Sequence, residues 1–180
     1  MTDTDNSWIQ TFTGKAFYPL EPFRSEIDIE DIAHALSNLC RYGGHSNEFY
    51  SVAQHSVLVS RNVSEENALW GLLHDATEAY LIDLVRPVKR RMPVYQKFEI
   101  NLAYHIALHF GLPANIPDEV HRVDNAILAD EMPVLIGKPA APWNLPEPPL
   151  GIKIDPWGPK FAKQVFLNEY EKLVKRSKSL

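Results

Sequence analysis

Apolar residues along this chain recur mostly at the spacing of a helix face. The first such face consists of four apolar residues that precede a break at Gly43-Gly44: Ile32, Ala35, Leu36 and Leu39. The segment 28–31 before this face is acidic, which favours the positive N-terminal end of a helix dipole. The pattern therefore predicts a first helix that begins near residue 28.

Cap and stop residues predict the helices that follow. Ser51 is the expected N-cap of a second helix, and Ser64 is the expected N-cap of a third. The third helix is expected to run through His74 and Asp75 towards Tyr80. Later helices are expected over three further stretches: residues 95–110, 117–135 and 158–175.

Two segments lack this periodicity. Residues 8–24 mix aromatic residues, threonine, glycine and proline, which predicts an extended segment or a short hairpin. Residues 138–159 are dense in proline and predict an ordered, irregular excursion pinned by Trp143 and Trp157. The fold class that we predict is therefore all-α, with an irregular N-terminal segment and a proline-rich C-terminal excursion.

Composition limits the size and the partners of the fold. A chain of 180 residues with 45% apolar residues is large enough for one domain with a true core. No repeat or linker divides it, so we predict a single domain over 1–180 with a core at about 28–135. The net charge of -5 argues against long nucleic-acid partners, whose binding proteins are usually basic.

The chain also carries signals about its compartment. Cys40 is the only cysteine, so an intramolecular disulfide is impossible, which fits a reducing environment. The first seven residues are polar and acidic, unlike a secretory signal. No apolar stretch approaches the roughly 18 residues of a membrane span. We expect a soluble, cytoplasmic protein that has no membrane partner.

The doublet His74-Asp75 follows the apolar run 68–73 directly. A buried aspartate without a partner costs several kcal/mol, so a cation beside the doublet is a natural explanation. His55 upstream and Asp124 downstream complete a set of two histidines and two carboxylates, which suits a divalent metal with open positions for water and substrate. Spacing alone leaves ordinary core, surface or capping roles open for each residue.

These residues carry a family resemblance. Four of them resemble the H…HD…D signature of the HD-domain metal-dependent phosphohydrolases: His55, His74, Asp75 and Asp124. The segment 51–56 resembles the first-ligand motif of the bacterial 5′-deoxynucleotidase branch, and the segments 74–78 and 83–89 resemble its second-ligand motif. The phage dATP triphosphohydrolases are similar. The resemblance covers about residues 30–130 and implies an all-α HD-domain bundle.

The resemblance implies a metal centre and a water-handling group. The four matching residues would hold a divalent ion, with Mn, Co, Zn, Fe and Mg all compatible with such ligands. Glu78 matches the family glutamate that orients or activates the attacking water. Asp83 matches a carboxylate that positions the substrate or protonates the leaving group.

The same resemblance implies contacts to the substrate. Arg41 and Lys89 match residues that bind phosphate. Tyr42 occupies a position where the deoxynucleotidase branch typically has tryptophan, so its ring would pack on the sugar or base. His45 lies in the glycine-rich loop between Arg41 and the first histidine ligand, and we expect it to line the pocket.

The expected function is hydrolysis of a nucleotide at its 5′ phosphate ester, with a deoxynucleoside 5′-monophosphate as the preferred substrate. A triphosphohydrolase that releases triphosphate is the alternative, with Arg86, Arg90 and Arg91 contacting the longer anionic tail. A nucleotide-sensing protein without turnover is an alternative of another class. An HD-type nuclease fits the acidic balance poorly. By analogy with the family, we expect a homo-oligomer.

Overall fold

The computed structural model describes residues 7–22 and 27–177, and these residues are mostly helical. The helices are α1 (Ile29–Asn38), α2 (Val52–Arg61), α3 (Ala68–Leu73), α4 (Glu78–Leu81), α5 (Arg86–Lys89), α6 (Pro93–Phe110), α7 (Asp118–Leu135) and α8 (Pro159–Ser177). The prediction of an all-α class is confirmed. Within the described ranges, no helix combines the length and apolar character needed to cross a membrane.

A small hairpin precedes the helices, as predicted for the N-terminal segment. Strand β1 (Ile9–Gln10) pairs antiparallel with β2 (Ala16–Phe17). Phe17 is fully buried and stacks on Tyr80 with ring centroids 3.8 Å apart, so the hairpin is fastened to the helical body. Positions 23 and 24 of the predicted segment, and residues 1–6, lie outside the described residues.

The main core lies between helices from both ends of the chain. Helix α8 packs against α1, α2 and α3, so the last helix closes over the first three. The largest buried side chains of this core come from the hairpin, α1, α3, α6 and α8: Phe17, Ile32, Leu36, Leu72, Leu73, Leu102, Ile106 and Phe166. Residues before position 28 and after position 135 therefore pack together with the predicted core at about 28–135.

Several predicted helix boundaries are confirmed by their caps. The Ser51 side chain accepts a hydrogen bond of 3.1 Å from the Gln54 amide at the start of α2. Gly111 ends α6 with a left-handed φ of 68°, which glycine adopts without strain. Ser64, in contrast, precedes a short 3-10 helix (Glu65–Asn67) and makes no side-chain capping bond, because its hydroxyl donates to the carboxylate of Glu119.

The predicted third helix is wrong in its length. Helix α3 ends at Leu73, residues 74–77 form a turn, and α4 follows. Hydrogen bonds in the turn span three residues, from the Ala76 amide to the Leu73 carbonyl and from the Glu78 amide to the Asp75 carbonyl, both 3.0 Å. The His74-Asp75 doublet therefore lies in a tight turn between two helices and not inside one continuous helix.

Gly71 allows α3 to approach α2 closely. A Cβ at this position would lie 2.8 Å from the Ser60 Cα, a separation that real Cβ atoms do not adopt. The short distance between the two helices brings the rings of His55 and His74 to a centroid separation of 5.4 Å.

Candidate metal centre and substrate pocket

Four side chains from three parts of the fold converge on one point. His55 comes from α2, His74 and Asp75 from the turn after α3, and Asp124 from α7. One potential ligand atom of each of His55, His74 and Asp124 lies within 4.8 Å of the other two. An Asp75 oxygen lies 3.3 Å from His74 Nε2 and 4.0 Å from His55 Nε2. The structure thus brings all four predicted ligands together.

The two imidazoles are oriented by hydrogen bonds on their far sides. His74 Nδ1 lies 2.8 Å from the Gly71 carbonyl oxygen, which can only accept, so Nδ1 is the donor. His55 Nδ1 lies 2.7 Å from a Glu131 oxygen. Both arrangements point Nε2 at the shared centre, as is usual for histidines that bind metals.

His74 Nε2 provides the sharpest test of whether a cation fits. This atom is buried and has no hydrogen-bond partner among the described residues. Buried polar atoms are normally satisfied, so a nitrogen without a hydrogen-bond partner beside two ionised carboxylates is a position that a proton or, in its place, a metal cation would fill. Two imidazole nitrogens and two carboxylates form a donor set that accepts a divalent transition metal. The residues present therefore fit a metal ion.

The electrostatics of the cluster favour a cation. Burial opposes the ionisation of Asp75, but the neighbouring His74 outweighs it and lowers the pKa of Asp75 to about 2. Burial likewise opposes ionisation of Asp124, yet its hydrogen bond with His55 holds its pKa far below the usual range. Burial also opposes protonation of His74, but Asp75 and Asp124 prevail and raise its pKa to about 9. Both carboxylates are thus negative at neutral pH.

A pocket of about 640 Å³ opens beside this cluster. Asp75 and Asp124 line it, together with five of the residues predicted from the sequence to handle water or substrate: Arg41, Tyr42, Glu78, Asp83 and Lys89. His45 is exposed and does not belong to the lining. The volume falls within the range typical of small-molecule sites, roughly 300–1,000 Å³.

Glu78 is the buried carboxyl of the pocket that is not paired. Its Oε2 atom has no hydrogen-bond partner in the part of the chain that the structure describes. Burial raises the pKa of Glu78 well above its usual value, and the negative charges of Asp75 and Asp83 add to the shift. A cation held beside Asp75 would offset that repulsion and favour the ionised form. Asp83 itself is exposed at the pocket.

The two predicted phosphate-binding cations are already engaged with carboxylates. Arg41 lies 3.6 Å from an Asp75 oxygen and 3.4 Å from a Glu131 oxygen. Lys89 forms an ion pair of 2.6 Å with Glu99. Much of this positive charge is therefore compensated by carboxylates.

Arg86 also lines the pocket, with one nitrogen 3.8 Å from an Asp124 oxygen. Arg90 and Arg91 are not part of the lining. The lining therefore holds four carboxylates, those of Asp75, Glu78, Asp83 and Asp124, against three basic side chains. Of the three arginines considered for a triphosphate tail, one reaches the pocket.

Comparison with known proteins places the chain in a family. The uncharacterized protein YfdR of Escherichia coli (strain K12) is 43% identical to it over 145 residues, which is 74% of this chain and 82% of YfdR. The chain belongs to the YfdR family. The uncharacterized protein RCAP_rcc00048 of Rhodobacter capsulatus is 35% identical over 130 residues, 67% of this chain and 66% of that protein. No protein-family model matches the chain.

The names of these two relatives state no activity. A function for this member of the YfdR family is therefore inferred from the residues of its site. In this member the site includes a residue that the sequence reasoning missed. Glu131 is fully buried on α7 and accepts hydrogen bonds from His55 Nδ1 and from the Tyr42 hydroxyl. Burial opposes its ionisation, but Arg41 and His55 lower its pKa to about 2. The available signal was its spacing, because seven residues after Asp124 is the same face of a helix.

The proline-rich excursion of this YfdR-family chain contributes a second feature that was missed. Residues 138–158 contain neither helix nor strand, in agreement with the predicted irregular segment. Trp157 packs against the main core, as expected of a pinning residue. Trp143, however, lines the pocket with Leu145. The excursion therefore supplies part of the candidate site.

Proposed function

We propose that this chain is a metal-dependent phosphohydrolase of the HD type that cleaves the 5′ phosphate ester of a nucleotide. The preferred substrate class is a deoxynucleoside 5′-monophosphate. The observation that carries the proposal is the convergence of His55, His74, Asp75 and Asp124 beside a pocket that also contains the water-handling and phosphate-binding candidates.

The proposal assigns a task to each part of the pocket. The four ligands would hold a divalent cation, which would supply Lewis acidity towards the phosphate and the attacking water. Glu78 accepts the proton of the attacking water through its unpartnered oxygen. Arg41 and Lys89 bind phosphate oxygens, and Asp83 assists the leaving group from the rim of the pocket.

The distribution of charge supports a metal-dependent reaction over one driven by basic residues alone. A phosphate monoester carries up to two negative charges, and the carboxylates that line the pocket at least match its three basic side chains in number. A divalent cation would add two positive charges next to the reacting phosphorus. Without it, the pocket would have no excess positive charge to offset that of the ester, which is unfavourable at low dielectric constant.

The lining supports a monophosphate over a triphosphate. A triphosphate requires further cations along its tail, and Arg90 and Arg91 do not contribute to the pocket. Arg86 lines the pocket, but its side chain is 61% exposed and lies near Asp124. One exposed arginine is a weak basis for binding the two additional phosphates.

A product screen tests this function. Mono-, di- and triphosphates of ribo- and deoxynucleosides are incubated with the protein and Mg, Mn, Co or Zn, and orthophosphate is separated from triphosphate. Orthophosphate from deoxynucleoside monophosphates is expected, and Asp75→Ala should abolish its release. Triphosphate as the product would replace the proposal with the triphosphohydrolase. Nucleotide binding with no product under any metal would contradict catalysis and indicate a sensing protein.

A further inference from the structure

The pocket lining also includes aromatic and apolar side chains. We call Tyr42, Trp143 and Leu145 the aromatic wall, because all three line the pocket. The rings of Tyr42 and Trp143 have centroids 5.9 Å apart and planes tilted by 48°. This is the separation of two rings in direct contact, so there is no room for a planar ligand between them.

The two rings of the wall differ in how firmly they are held. The Tyr42 hydroxyl donates to Glu131, which in turn binds His55, so this ring is tied to the metal centre. Trp143 belongs to no cluster of the buried core in the described part of the chain, and it is 38% exposed. Its large ring is therefore available to a ligand.

The excursion that carries Trp143 is fastened to the helices of the metal centre. The Asp130 carboxylate on α7 accepts hydrogen bonds of 2.7 to 3.1 Å from three consecutive amides: Leu150, Gly151 and Ile152. Gln54, beside His55 on α2, donates to the Asp155 carbonyl and accepts from the Trp157 amide. The chain beyond Trp143 is thereby bound to the same helices that hold His55 and Asp124.

Packing of the excursion does not account for Trp143. Trp157, in the same segment, contacts the main core and meets Phe161 edge to face at 5.5 Å, so it provides an apolar anchor. Trp143 instead lines the pocket together with the basic side chains of Arg41 and Lys89. A pocket lined by both basic side chains and a partly exposed aromatic ring matches a ligand that joins a phosphate to a planar ring.

We propose that Trp143 determines substrate specificity by stacking on the base of the nucleotide, with Tyr42 supporting its ring. This inference rests on the proposed function and deepens it. The base is recognised by its aromatic face, which every nucleobase has, so the wall distinguishes nucleotides from phosphate esters that lack a base.

The test compares substrates with and without a base. The variants are Trp143→Ala, Trp143→Phe and the control Trp8→Ala, whose tryptophan is 42% exposed and outside the pocket lining. We expect Trp143→Ala to raise the KM for deoxynucleoside monophosphates about tenfold, a typical consequence of losing one stacked base. The KM for 2-deoxyribose 5-phosphate should change much less. Trp143→Phe should recover most of the loss, and Trp8→Ala should change neither KM.

An equal rise of both KM values in Trp143→Ala, or an unchanged KM for the nucleotide, would overturn the stacking proposal while leaving the hydrolase intact. If the wild-type protein hydrolyses neither substrate, the proposed function fails instead. Stacking is then decided by equilibrium binding of a deoxynucleoside monophosphate. A Kd about tenfold weaker in Trp143→Ala supports the stacking contact, and an equal Kd refutes it. Thermal unfolding of each variant verifies that the fold is retained.

Discussion

The side chains of the candidate metal centre are fixed by helices, by the Gly71 carbonyl and by the buried Glu131. In the aromatic wall, by contrast, Tyr42 lies on a short turn and Trp143 on an irregular excursion, with Trp143 partly exposed. Chemistry at a metal requires ligands whose positions vary little, whereas recognition of a planar base tolerates small shifts. Under the proposed function, the reaction would depend on firmly held ligands and selectivity on a partly exposed ring, although the excursion that carries this ring is fastened to α2 and α7.

The largest effect is expected from removing one of the four candidate metal ligands. Asp124→Asn removes the negative charge of a carboxylate that has one oxygen 3.0 Å from His55 Nε2. Metal affinity and turnover should both fall by more than the roughly 10- to 100-fold typical of residues behind the ligands. Calorimetric titration with Mn²⁺ and a phosphate-release assay measure the two quantities. Asp118→Asn, an exposed change on the same helix, is the matched control, and an equal loss in both variants would refute the assignment.

Glu78→Gln distinguishes the transfer of a proton to Glu78 from the binding of the metal by its four ligands. The substitution keeps the shape of the side chain but removes its ability to accept a proton. Turnover should fall by about two orders of magnitude or more, as is typical for the loss of a general base. Mn²⁺ affinity should change far less than in Asp124→Asn. Retention of full activity would exclude Glu78 from the reaction.

Glu131→Gln tests whether the hydrogen bond that orients the ligand His55 contributes to metal affinity. It weakens the charge-assisted contact to His55, so Mn²⁺ affinity should fall about 10- to 100-fold while the substrate pocket keeps its lining. Calorimetry measures the affinity. Restoration of turnover at high Mn²⁺ concentration is the expected signature of a positioning residue. A loss of turnover that no metal concentration restores would contradict that role.

The same variant makes a prediction about pH. Arg41 and His55 outweigh burial and lower the pKa of Glu131 to about 2. The ionised carboxylate of Glu131 is therefore more stable in the folded state than in the unfolded state. The resulting stability is present above the ordinary glutamate pKa near 4.5 and is lost as pH falls towards 2. The difference in unfolding free energy between wild type and Glu131→Gln should therefore shrink below about pH 4.5, as measured by denaturant titration. A difference that stays constant with pH would oppose this.

The smallest effect is expected from loosening the excursion that carries Trp143. Asp130→Asn weakens the hydrogen bonds to three amides of the excursion, which should cost about 2 kcal/mol of unfolding free energy. The KM for a deoxynucleoside monophosphate should rise a few-fold with little change in kcat or metal affinity. Denaturant titration and steady-state kinetics provide the measurements. A large loss of Mn²⁺ affinity would show that Asp130 is also needed to hold the metal ligands in place.

Local patterns were enough to predict most helices, whereas the shared role of the four ligands was predicted from the family resemblance. Helix α7 was predicted to within one residue of its observed limits because Pro117 and acidic residues mark its start, and Asp124 lies within it. The doublet lies in a turn because His74 Nδ1 donates to the Gly71 carbonyl. The amides of Ala76 and Glu78 donate to carbonyls three residues earlier in the chain. Intrinsic spacing cannot reveal such a competition between a side chain and the helix backbone.

The parts that were missed depend on contacts between distant segments. Glu131 contacts Tyr42 and His55, which are far from it in sequence, so its role is visible only after folding. Trp143 was expected to pin the excursion, and only the folded chain shows that its ring lies at the pocket. Prolines identify such a segment as irregular but contain no information on which surface it covers.

Removal and return of the metal tests the central claim most directly. The purified protein is treated with a chelator, dialysed and assayed for orthophosphate release from a deoxynucleoside 5′-monophosphate before and after Mn²⁺, Co²⁺, Zn²⁺ or Mg²⁺ is added. We predict no release from the chelated protein and recovery with at least one of these ions. Release that continues unchanged after chelation would contradict a metal-dependent reaction at His55, His74, Asp75 and Asp124.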